Sequence, residues 1–474
     1  MDNPFRRTMA DPKDWSHRMF GRASLGDPRN TRRLCAMAAN AARSPGGRVT
    51  QVFREDAARQ GAYRLLQNDA VRTHRVSEAM SAGTVRTCVE AGLQKFYVAG
   101  DGSSIRVADA GDRKGTGRIG SKGKARGFEV MSGLAMAPDG TPVGLCAQTF
   151  WARRGPRARE RRHARPVPLR ETRYWIEMME DVVATTRAAN AEASTRCRPH
   201  FLFDRGADAW VVLRRAVELR EHADVTVRAA QNRRVVHPYA RRLRERLMRS
   251  PALCSYALEV PGSPARAARR AHLEVHACEV TLELRGGPVT LSAVLAREFD
   301  TTPKGEKVID WLLLTTQRVS TAAEALGVID GYSLRWRVEE FHKAWKSSVC
   351  HVEDTQLRSA ESIQKWAIVL AAVATRSLHL THAARTSPDA PAESELSGEE
   401  IDAVIVLRRP KGFKLGDRPP LQQVVRWIAD LGGYTGKSSG GPPGAIVIGR
   451  GMKEVQAATL AIRNLLEMKR NEKL

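Results

Sequence analysis

The stretch Tyr332–Lys346, YSLRWRVEEFHKAWK, separates an apolar from a charged face when it is read as a helix. At about 100° per residue, its side chains fall on two opposite arcs. The apolar arc comprises Leu334, Val338, Phe341 and Trp345, and the polar arc comprises Tyr332, Arg335, Glu339 and Lys346. An ordinary surface helix with one salt bridge has the same pattern. A carboxylate set among a phenol, a guanidinium and an ammonium also suits a site where a metal ion meets a phosphate.

Composition indicates a multidomain protein that binds a polyanion. The chain has 474 residues, is 42% hydrophobic and carries a formal net charge of +25. A chain of this length divides into roughly two to four domains, and the excess charge favours nucleic acid before membrane as a partner. A generally arginine-rich composition explains part of this excess. The clustering of arginines described below is not explained in that way.

Cysteine usage and the N-terminus point to the cytoplasm. The seven cysteines are scattered, odd in number and without a CxxC pair, which predicts reduced thiols and neither a disulfide framework nor a zinc site. The first residues, MDNPFRRTMADPKDW, lack the apolar core of a signal peptide. We see no apolar run of about 18 residues and therefore expect no membrane span.

Two apolar runs end in an aspartate. Residues 96–101, FYVAGD, and residues 200–204, HFLFD, are predicted to be buried strands with Asp101 and Asp204 at their ends. Open α/β sheets bind ligands at the carboxyl ends of strands. For either aspartate alone a turn or cap role is the simpler interpretation, but together with Glu339 they form a stronger set. Asp208 is predicted to cap the following helix.

Between the second acid and the helical stretch, the sequence changes to strands. Residues 224 to about 308 alternate or are β-branched, with turns at PGSP and RGGP, which predicts a β-rich insertion carrying basic residues such as Arg228. A buried strand with Trp311 follows. Residues 384–400 are polar and proline-rich and are predicted to be a linker. The last helix has an apolar stripe that is either core or a self-association surface.

The first 72 residues are predicted to be helical and are densely basic. Asp27 and Pro28 are typical of a helix start. Arginines at 29, 32, 33, 43, 48, 54, 59 and 64 concentrate charge on this short segment. A solvated helical face would have the same pattern, but in a chain this basic we favour DNA contact.

The spacing Y-(2)-R-(3)-E-(6)-K within Tyr332–Lys346 resembles the signature of the insertion-sequence-four family of bacterial DDE transposases. The string RWRVEEFHKAWK is specific, and the similarity extends to LGDPRNTRRL and GAYRLLQN near the start, DRGAD in the middle and WIADLGG near the end. The resemblance implies an α/β fold: a ribonuclease-H-like catalytic core with a β-rich insertion, flanked by N-terminal and C-terminal helical domains. The implied domains are residues 1–72 for end binding, 73–383 for catalysis and 384–474 for dimerisation.

The resemblance also implies roles for individual residues. Asp101, Asp204 and Glu339 would be the DDE triad that binds two Mg²⁺ ions, with Mn²⁺ as a substitute. Three oxygen ligands on separate elements suit Mg²⁺. Trp311 matches a tryptophan that stacks on a flipped base, although a core tryptophan is an equal alternative. The expected DNA contacts are Tyr332, Arg335, Lys343, Lys346, Trp311, Arg29, Asn30, Arg33, Arg64 and Arg228. Gly100 stands next to Asp101 where the family has a second acidic residue. Because glycine carries no carboxylate, the metal role falls to Asp101 alone.

The function implied is cut-and-paste transposition: end binding, metal-dependent nicking, hairpin formation and opening, and strand transfer. The expected partners are transposon-end double-stranded DNA, target DNA and a second copy of the chain in the DNA-bound complex. No membrane partner is expected, and the protein would be cytoplasmic and bound to the bacterial nucleoid. Two alternatives remain: a non-transposing ribonuclease-H-like nuclease, and a DNA-binding regulator of transposition.

Overall fold

The computed structural model describes residues 11–109, 114–120, 125–153, 170–260, 262, 267–299, 302–303, 305–436 and 441–471. Part of the Gly111–Gly127 loop, whose role the sequence leaves open, lies outside these residues, as do most of the basic run 153–165 and most of the PGSP turn.

A mixed ten-stranded sheet forms the centre of the protein, with the strand order β2-β3-β1-β5-β6-β10-β9-β8-β7 and β4 also paired to β3. Its strands are β1 Lys95–Arg106, β2 Gly117–Ile119, β3 Ala125–Met136, β4 Pro142–Trp151, β5 Arg198–Phe203, β6 Asp224–Arg228, β7 Ala252–Val260, β8 Arg269–Leu284, β9 Gly287–Glu298 and β10 Asp310–Thr315. Strands β4, β3 and β1 are antiparallel, and β1, β5 and β6 are parallel. This arrangement confirms the α/β, ribonuclease-H-like core.

Fourteen α-helices are described around the sheet. They are α1 Pro12–Phe20, α2 Pro28–Arg43, α3 Val49–Val52, α4 Asp56–Leu66, α5 Thr73–Glu90, α6 Arg173–Ala191, α7 Trp210–Glu218, α8 Leu243–Met248, α9 Ala322–Ser333, α10 Arg337–Lys343, α11 Ala360–Thr386, α12 Gly398–Arg408, α13 Leu421–Leu431 and α14 Ala445–Asn471. The predicted start of α2 is confirmed, because Asp27 accepts the Arg29 N–H and Pro28 occupies the first helical position.

The β-rich insertion continues the central sheet. Strands β7, β8 and β9 pair antiparallel, and β10 joins β9 to β6, the last parallel strand of the core. Backbone hydrogen bonds therefore connect the insertion to the core without a break.

The stretch Tyr332–Lys346 is helical but not one regular α-helix. Helix α9 ends at Ser333, a 3₁₀ turn covers Leu334–Trp336, α10 follows, and Ala344–Ser348 forms a π-helical turn. The apolar arc is buried as predicted, since Val338, Phe341 and Trp345 are inaccessible to solvent. The changes in helical pitch rotate the polar side chains away from the positions that a uniform 100° step assigns them.

Helix α11 passes through the middle of the molecule. It runs to Thr386, beyond the predicted start of a linker, and residues 387–397 pack with Ala390, Ala392 and Leu396 buried. The linker prediction is therefore wrong at its beginning. Residues 387–397 are mostly polar, but the side chains of Ala390, Ala392 and Leu396 are buried. Side chains of α1, α2 and α4 share one hydrophobic core with α10 and α11.

By length and composition, α11 is also the one helix among the described residues that could cross a membrane, which the sequence reading did not expect. Its most apolar 18-residue window is 89% buried inside the protein. A core helix of a globular protein passes the same test, and burial assigns α11 to that class.

The apolar stripe on α14 faces the core of the C-terminal segment. Val455 is fully buried, and Met452 and Ile462 pack against the same core. The family resemblance favoured self-association for this stripe, and that prediction is wrong for Val455, Met452 and Ile462, which belong to the core. A different set on α14 is exposed to solvent: Leu460, Leu465 and Met468.

Candidate active site

Two acids lie side by side because two parallel strands are in register. Strands β1 and β5 pair in parallel with Gly100 opposite Phe203, so Asp101 and Asp204 are the next residues on adjacent strands. Neighbouring strands are about 4.8 Å apart. Asp204 directly follows β5, as predicted. Asp101 does not end its strand, because β1 continues to Arg106 against β3; it lies where the parallel pairing stops.

Gly100 has a packing role that the sequence did not reveal. A Cβ atom at this position would lie 2.5 Å from the Phe203 ring and 3.1 Å from the Met178 sulfur. The glycine is required because the Phe203 ring occupies the side-chain position between the two strands. Gly100 therefore allows β1 to lie close to β5, in addition to lacking a carboxylate.

The acid pair carries electrostatic strain. Burial, and after it the nearby charges of Asp204 and Glu339, raise the pKa of Asp101 to about 7 against the opposing effects of Arg335 and the Gly102 N–H. Backbone N–H groups hold one oxygen of each acid: Gly102 N to Asp101 Oδ1 at 2.9 Å, and Gly206 N to Asp204 Oδ1 at 2.8 Å. A carboxyl whose pKa is raised beside a second carboxylate, as that of Asp101 is, is typical of a site completed by a cation.

The third acid lies opposite the pair on α10, which packs against β1 and β3. Glu339 Oε1 accepts a hydrogen bond from Arg335 Nη2 at 2.7 Å, one turn earlier. Among the described residues, no three carboxylate, imidazole or thiol groups converge closely enough to hold a metal ion in this arrangement. The donors themselves fit a hard divalent cation, because Asp101 and Asp204 are adjacent oxygen ligands. Glu339 would have to leave Arg335 before it could join them.

A cluster of aromatic and cationic side chains flanks the acids. The Trp311 and Tyr332 rings meet edge to face at 5.7 Å, and the Arg228 guanidinium lies 5.9 Å from the Trp311 centroid. Tyr332 is only 4% exposed, so its predicted place on an open polar face is wrong; β10 covers it through Trp311. Burial raises the pKa of Tyr332, and the nearby Arg335 and Arg228 charges oppose this. The cluster therefore adjoins the acids.

The two lysines of α10 and the π-turn differ in their surroundings. Lys343 is exposed to solvent. Lys346 Nζ lies 3.7 Å from Glu353 Oε1, which also accepts the Arg106 N–H at 2.9 Å. Glu353 therefore connects Lys346 to the end of β1. The sequence reading missed Glu353, since no helical spacing relates it to Lys346.

His342 is a further group that sequence reasoning passed over. Its Nδ1 lies 3.8 Å from Asp101 Oδ2, and the ring is almost fully buried. Burial, and after it the charge of Lys346, lower the pKa of His342 to about 3, so the imidazole is neutral. Its spacing of three residues from Glu339 was the available signal, because side chains at that spacing are neighbours on a helix.

Asp208 does not cap α7. The α7 N-cap position belongs to Ala209, which makes no side-chain capping bond. Asp208 instead accepts N–H groups from Ala230 and Gln231 and a bidentate contact from Arg233. It anchors the turn after β6, a role that local sequence cannot show because the partners are more than twenty residues away.

The residues predicted to bind transposon ends lie on α2 and α4. These helices are distant in the sequence from the three acids and are different elements from those that carry them. Arg33 and Arg64 are exposed, and Arg29 is exposed but paired with Asp27 at 2.8 Å. Asn30 is half-buried and donates to the Leu25 carbonyl at 3.3 Å. Its amide supports the turn before α2 in this conformation.

Comparison with known proteins agrees with this geometry. A family model described as "Transposase DNA-binding" matches residues 12–71, and one described as "Transposase DDE domain" matches residues 139–376, half of the chain. The second match includes Asp204 and Glu339; Asp101 precedes it. The chain is therefore a DNA-binding enzyme that acts on DNA, a transposase. It belongs to the DDE transposase family, whose members generally use divalent metal ions.

The structure is also similar to a piggyBac transposase seen in a synaptic complex with hairpin DNA. The identity is 8%, the TM-score is 0.38, and the similarity covers 81% of this chain and 77% of that one. A similarity of this degree supports no further conclusion.

Proposed function

We propose that this transposase moves DNA by a cut-and-paste route: end binding, nicking, hairpin formation and opening, and strand transfer into target DNA. Asp101, Asp204 and Glu339 are the proposed catalytic acids. The observation that carries the proposal is the in-register placement of Asp101 beside Asp204. The pKa of Asp101 is raised to about 7 in this position. Perturbed carboxyls in a site flanked by cations are typical of catalytic groups.

The three acids would hold Mg²⁺, with Mn²⁺ as a substitute and two ions per site. Such ions would activate the attacking oxygen and stabilise the leaving 3′ oxygen. The surrounding residues of the chain would position the DNA. Arg335 offers a planar pair of donors for a phosphate, Lys346 offers a point charge, and Tyr332 offers a hydroxyl. The partly buried Trp311 side chain packs edge to face against Tyr332.

Metal and phosphate would each act on the same ion pair, from opposite sides. Glu339 is bound to Arg335 in the free protein. A cation near Asp101 and Asp204 attracts Glu339, while a DNA phosphate attracts Arg335. Each ligand thereby frees the partner that the other needs, so each is expected to strengthen the binding of the other.

More specific assignments complete the proposal. The Y-(2)-R-(3)-E-(6)-K spacing supports membership of the insertion-sequence-four family, near the transposase of transposon Tn-five. Residues 1–72 would bind transposon ends, 73–383 would catalyse, with the insertion at about 224–308, and 384–474 would dimerise. The protein would act in the cytoplasm at the bacterial nucleoid.

A homodimer on paired ends remains part of the proposal, because cutting two ends together requires two acid clusters. The surface for it differs from the stripe that the sequence indicated, since Val455 is core. The exposed apolar side chains Leu460, Leu465 and Met468 on α14 are the better candidates. Net charge of +25 opposes association until DNA neutralises it.

The test uses a linear duplex that carries the inverted repeat flanking the gene. The variants Asp101→Ala, Asp204→Ala and Glu339→Ala should lose nicking in Mg²⁺ and retain end binding in a gel-shift assay. Asp389→Ala, an exposed aspartate, is the matched control. A variant that still nicks at the wild-type rate removes its residue from the acid set. Nicking without strand transfer by the wild type would favour the nuclease alternative.

A further inference from the structure

His342 is a buried imidazole that lies beside the proposed catalytic acid Asp101 and has no role in the proposed function so far. It lies three residues after Glu339 on α10, and its Nδ1 atom is 3.8 Å from Asp101 Oδ2. The side chain is 10% exposed. Its Nε2 atom is inaccessible to solvent and has no hydrogen-bond partner among the described residues. Buried polar atoms are normally paired, so the position of this ring requires an explanation.

Packing fixes the direction of the imidazole. The fully buried Phe341 ring lies 5.2 Å from the imidazole, and it stacks on Trp345 at 5.6 Å on the next turn. Trp345 Nε1 in turn donates to the Ala367 carbonyl of α11 at 2.9 Å. Close-packed side chains in a protein interior have little room to change rotamer. The core therefore keeps His342 Nδ1 directed toward Asp101.

The proton of the neutral imidazole belongs on the nitrogen that faces the acid. A neutral imidazole carries one N–H, and the hydrogen bond available to the ring decides which nitrogen carries it. Nδ1 faces a carboxyl oxygen, whereas Nε2 has no partner in the described part of the chain. His342 can therefore offer Asp101 one hydrogen-bond donor without adding a charge to the site.

The two oxygens of Asp101 face two different donors. Oδ1 accepts the Gly102 N–H at 2.9 Å, and Oδ2 faces His342. The distance of 3.8 Å to His342 Nδ1 is too long for a hydrogen bond, which requires about 3 Å. A movement of less than about 1 Å closes this gap. Asp101 is ionised when it binds a cation, and an ionised carboxylate is the stronger acceptor. A donor on each oxygen would then fix the plane of the carboxylate.

We propose that His342 is a positioning residue for metal binding, whose Nδ1–H donates to Asp101 Oδ2 and holds that carboxylate in the orientation that binds the divalent ion. The inference rests on the proposed function, in which Asp101 is a metal ligand. Carboxylates that bind metals are commonly held by hydrogen bonds from neighbouring residues, and loss of such a bond typically costs about 10- to 100-fold in metal affinity. Nδ1 cannot carry this proton and bind the metal itself, so the two roles can be distinguished.

The experiment measures Mn²⁺ affinity by the electron paramagnetic resonance signal of the free ion, with the full-length protein on end DNA and the same DNA alone as the blank. The informative variants are His342→Asn and His342→Gln. The amide nitrogen of asparagine can take the position of Nδ1, and that of glutamine the position of Nε2. Both variants bury one amide, so a general packing defect affects both.

His342→Gln should raise the Kd for Mn²⁺ by about 10- to 100-fold, whereas His342→Asn should stay within about threefold of wild type. His222→Asn, at an exposed histidine, is the matched control and should leave the Kd unchanged. The Mn²⁺ concentration for half-maximal nicking should rise in His342→Gln by the same factor as the Kd. Its nicking rate at saturating Mn²⁺ should remain within about threefold of wild type, because the lost interaction affects metal binding.

The inference is overturned if His342→Gln keeps the wild-type affinity, or if both amide variants lose affinity equally, since a purely structural role does not distinguish the two nitrogens. A greater loss in His342→Asn than in His342→Gln also overturns it. If neither amide variant folds, His342→Leu should show the loss expected for His342→Gln, and wild-type affinity in His342→Leu would refute the inference. Absence of both Mn²⁺ binding beyond the DNA blank and metal-dependent nicking in the wild type would instead refute the proposed function.

Discussion

Replacing Asp101 with asparagine should stabilise the metal-free protein at alkaline pH. Burial, Asp204 and Glu339 raise the pKa of Asp101 from 3.8 to about 7 in the fold. The folded state therefore holds the proton more tightly than the unfolded chain. Stability from this proton is present at low pH and is lost as the pH rises through about 7. An asparagine carries no charge and can still accept the Gly102 N–H.

The magnitude follows from the pKa difference. Each pH unit that separates folded and unfolded pKa values corresponds to about 1.4 kcal/mol. Between about pH 5 and pH 8, the wild type would lose up to roughly 3 kcal/mol through this carboxyl. The Asp101 side chain is 21% exposed, and solvent screens part of the repulsion. We expect a difference of about 1–2 kcal/mol in favour of the asparagine variant at pH 8 after this reduction.

Urea unfolding in the presence of a chelator measures this difference at both pH values. Asp389→Asn, at an exposed position, controls for the loss of one formal charge. Adding Mg²⁺ at pH 8 should raise the midpoint of the wild type and leave that of Asp101→Asn unchanged, because the variant lacks a charged ligand. If Asp101→Asn lowers stability equally at both pH values, the acid pair is not under electrostatic strain and the reasoning fails.

Three further predictions concern packing. Gly100→Ala should cost about 1–3 kcal/mol in thermal unfolding because it meets the phenyl ring on the neighbouring strand, whereas Gly102→Ala, which has open space, should cost under about 1 kcal/mol. Asp208→Ala should cost about 3–5 kcal/mol in urea unfolding, since it leaves a buried guanidinium unpaired; a cost near that of a lost helix cap, about 1 kcal/mol, would contradict this. Val455→Glu should unfold the C-terminal segment, because Val455 is fully buried. Leu465→Glu, at an exposed position, should keep the circular dichroism spectrum and single-end binding but lose the paired-end complex in light scattering. An intact paired-end complex in Leu465→Glu would remove that face of α14 from the dimer surface.

The local sequence was sufficient to predict secondary structure where apolar residues follow a regular pattern. The apolar arc Val338, Phe341 and Trp345 is buried because three- and four-residue spacing places side chains on one helix face. The runs ending at Asp101 and Asp204 form strands because continuous apolar segments suit strands covered on both faces. Family resemblance then joined Glu339 to these acids, and the structure puts it on the helix facing them.

Predictions failed where a distant partner decided the outcome. Tyr332 has the spacing of an open polar face, yet a tryptophan from β10 covers it. Asp208 has the position of a helix cap, yet a turn more than twenty residues later offers it two N–H groups and a guanidinium. In both cases local preference is worth about 1 kcal/mol or less, and burial or a multiply bonded contact outweighs it.

The choice of Asp101, Asp204 and Glu339 as the proposed catalytic acids rested on the family resemblance. The sequence by itself determined the large positive charge and the position of most strands and helices. Those properties follow from residue type and spacing along the chain. Only the tertiary structure decided that Gly100 admits Phe203 between the acid-bearing strands and that Lys365 ties the N-terminal segment to α11. These contacts join residues from separate elements or select one partner among several. Their energies depend on burial and distance, which exist only once the sheet and helices have packed.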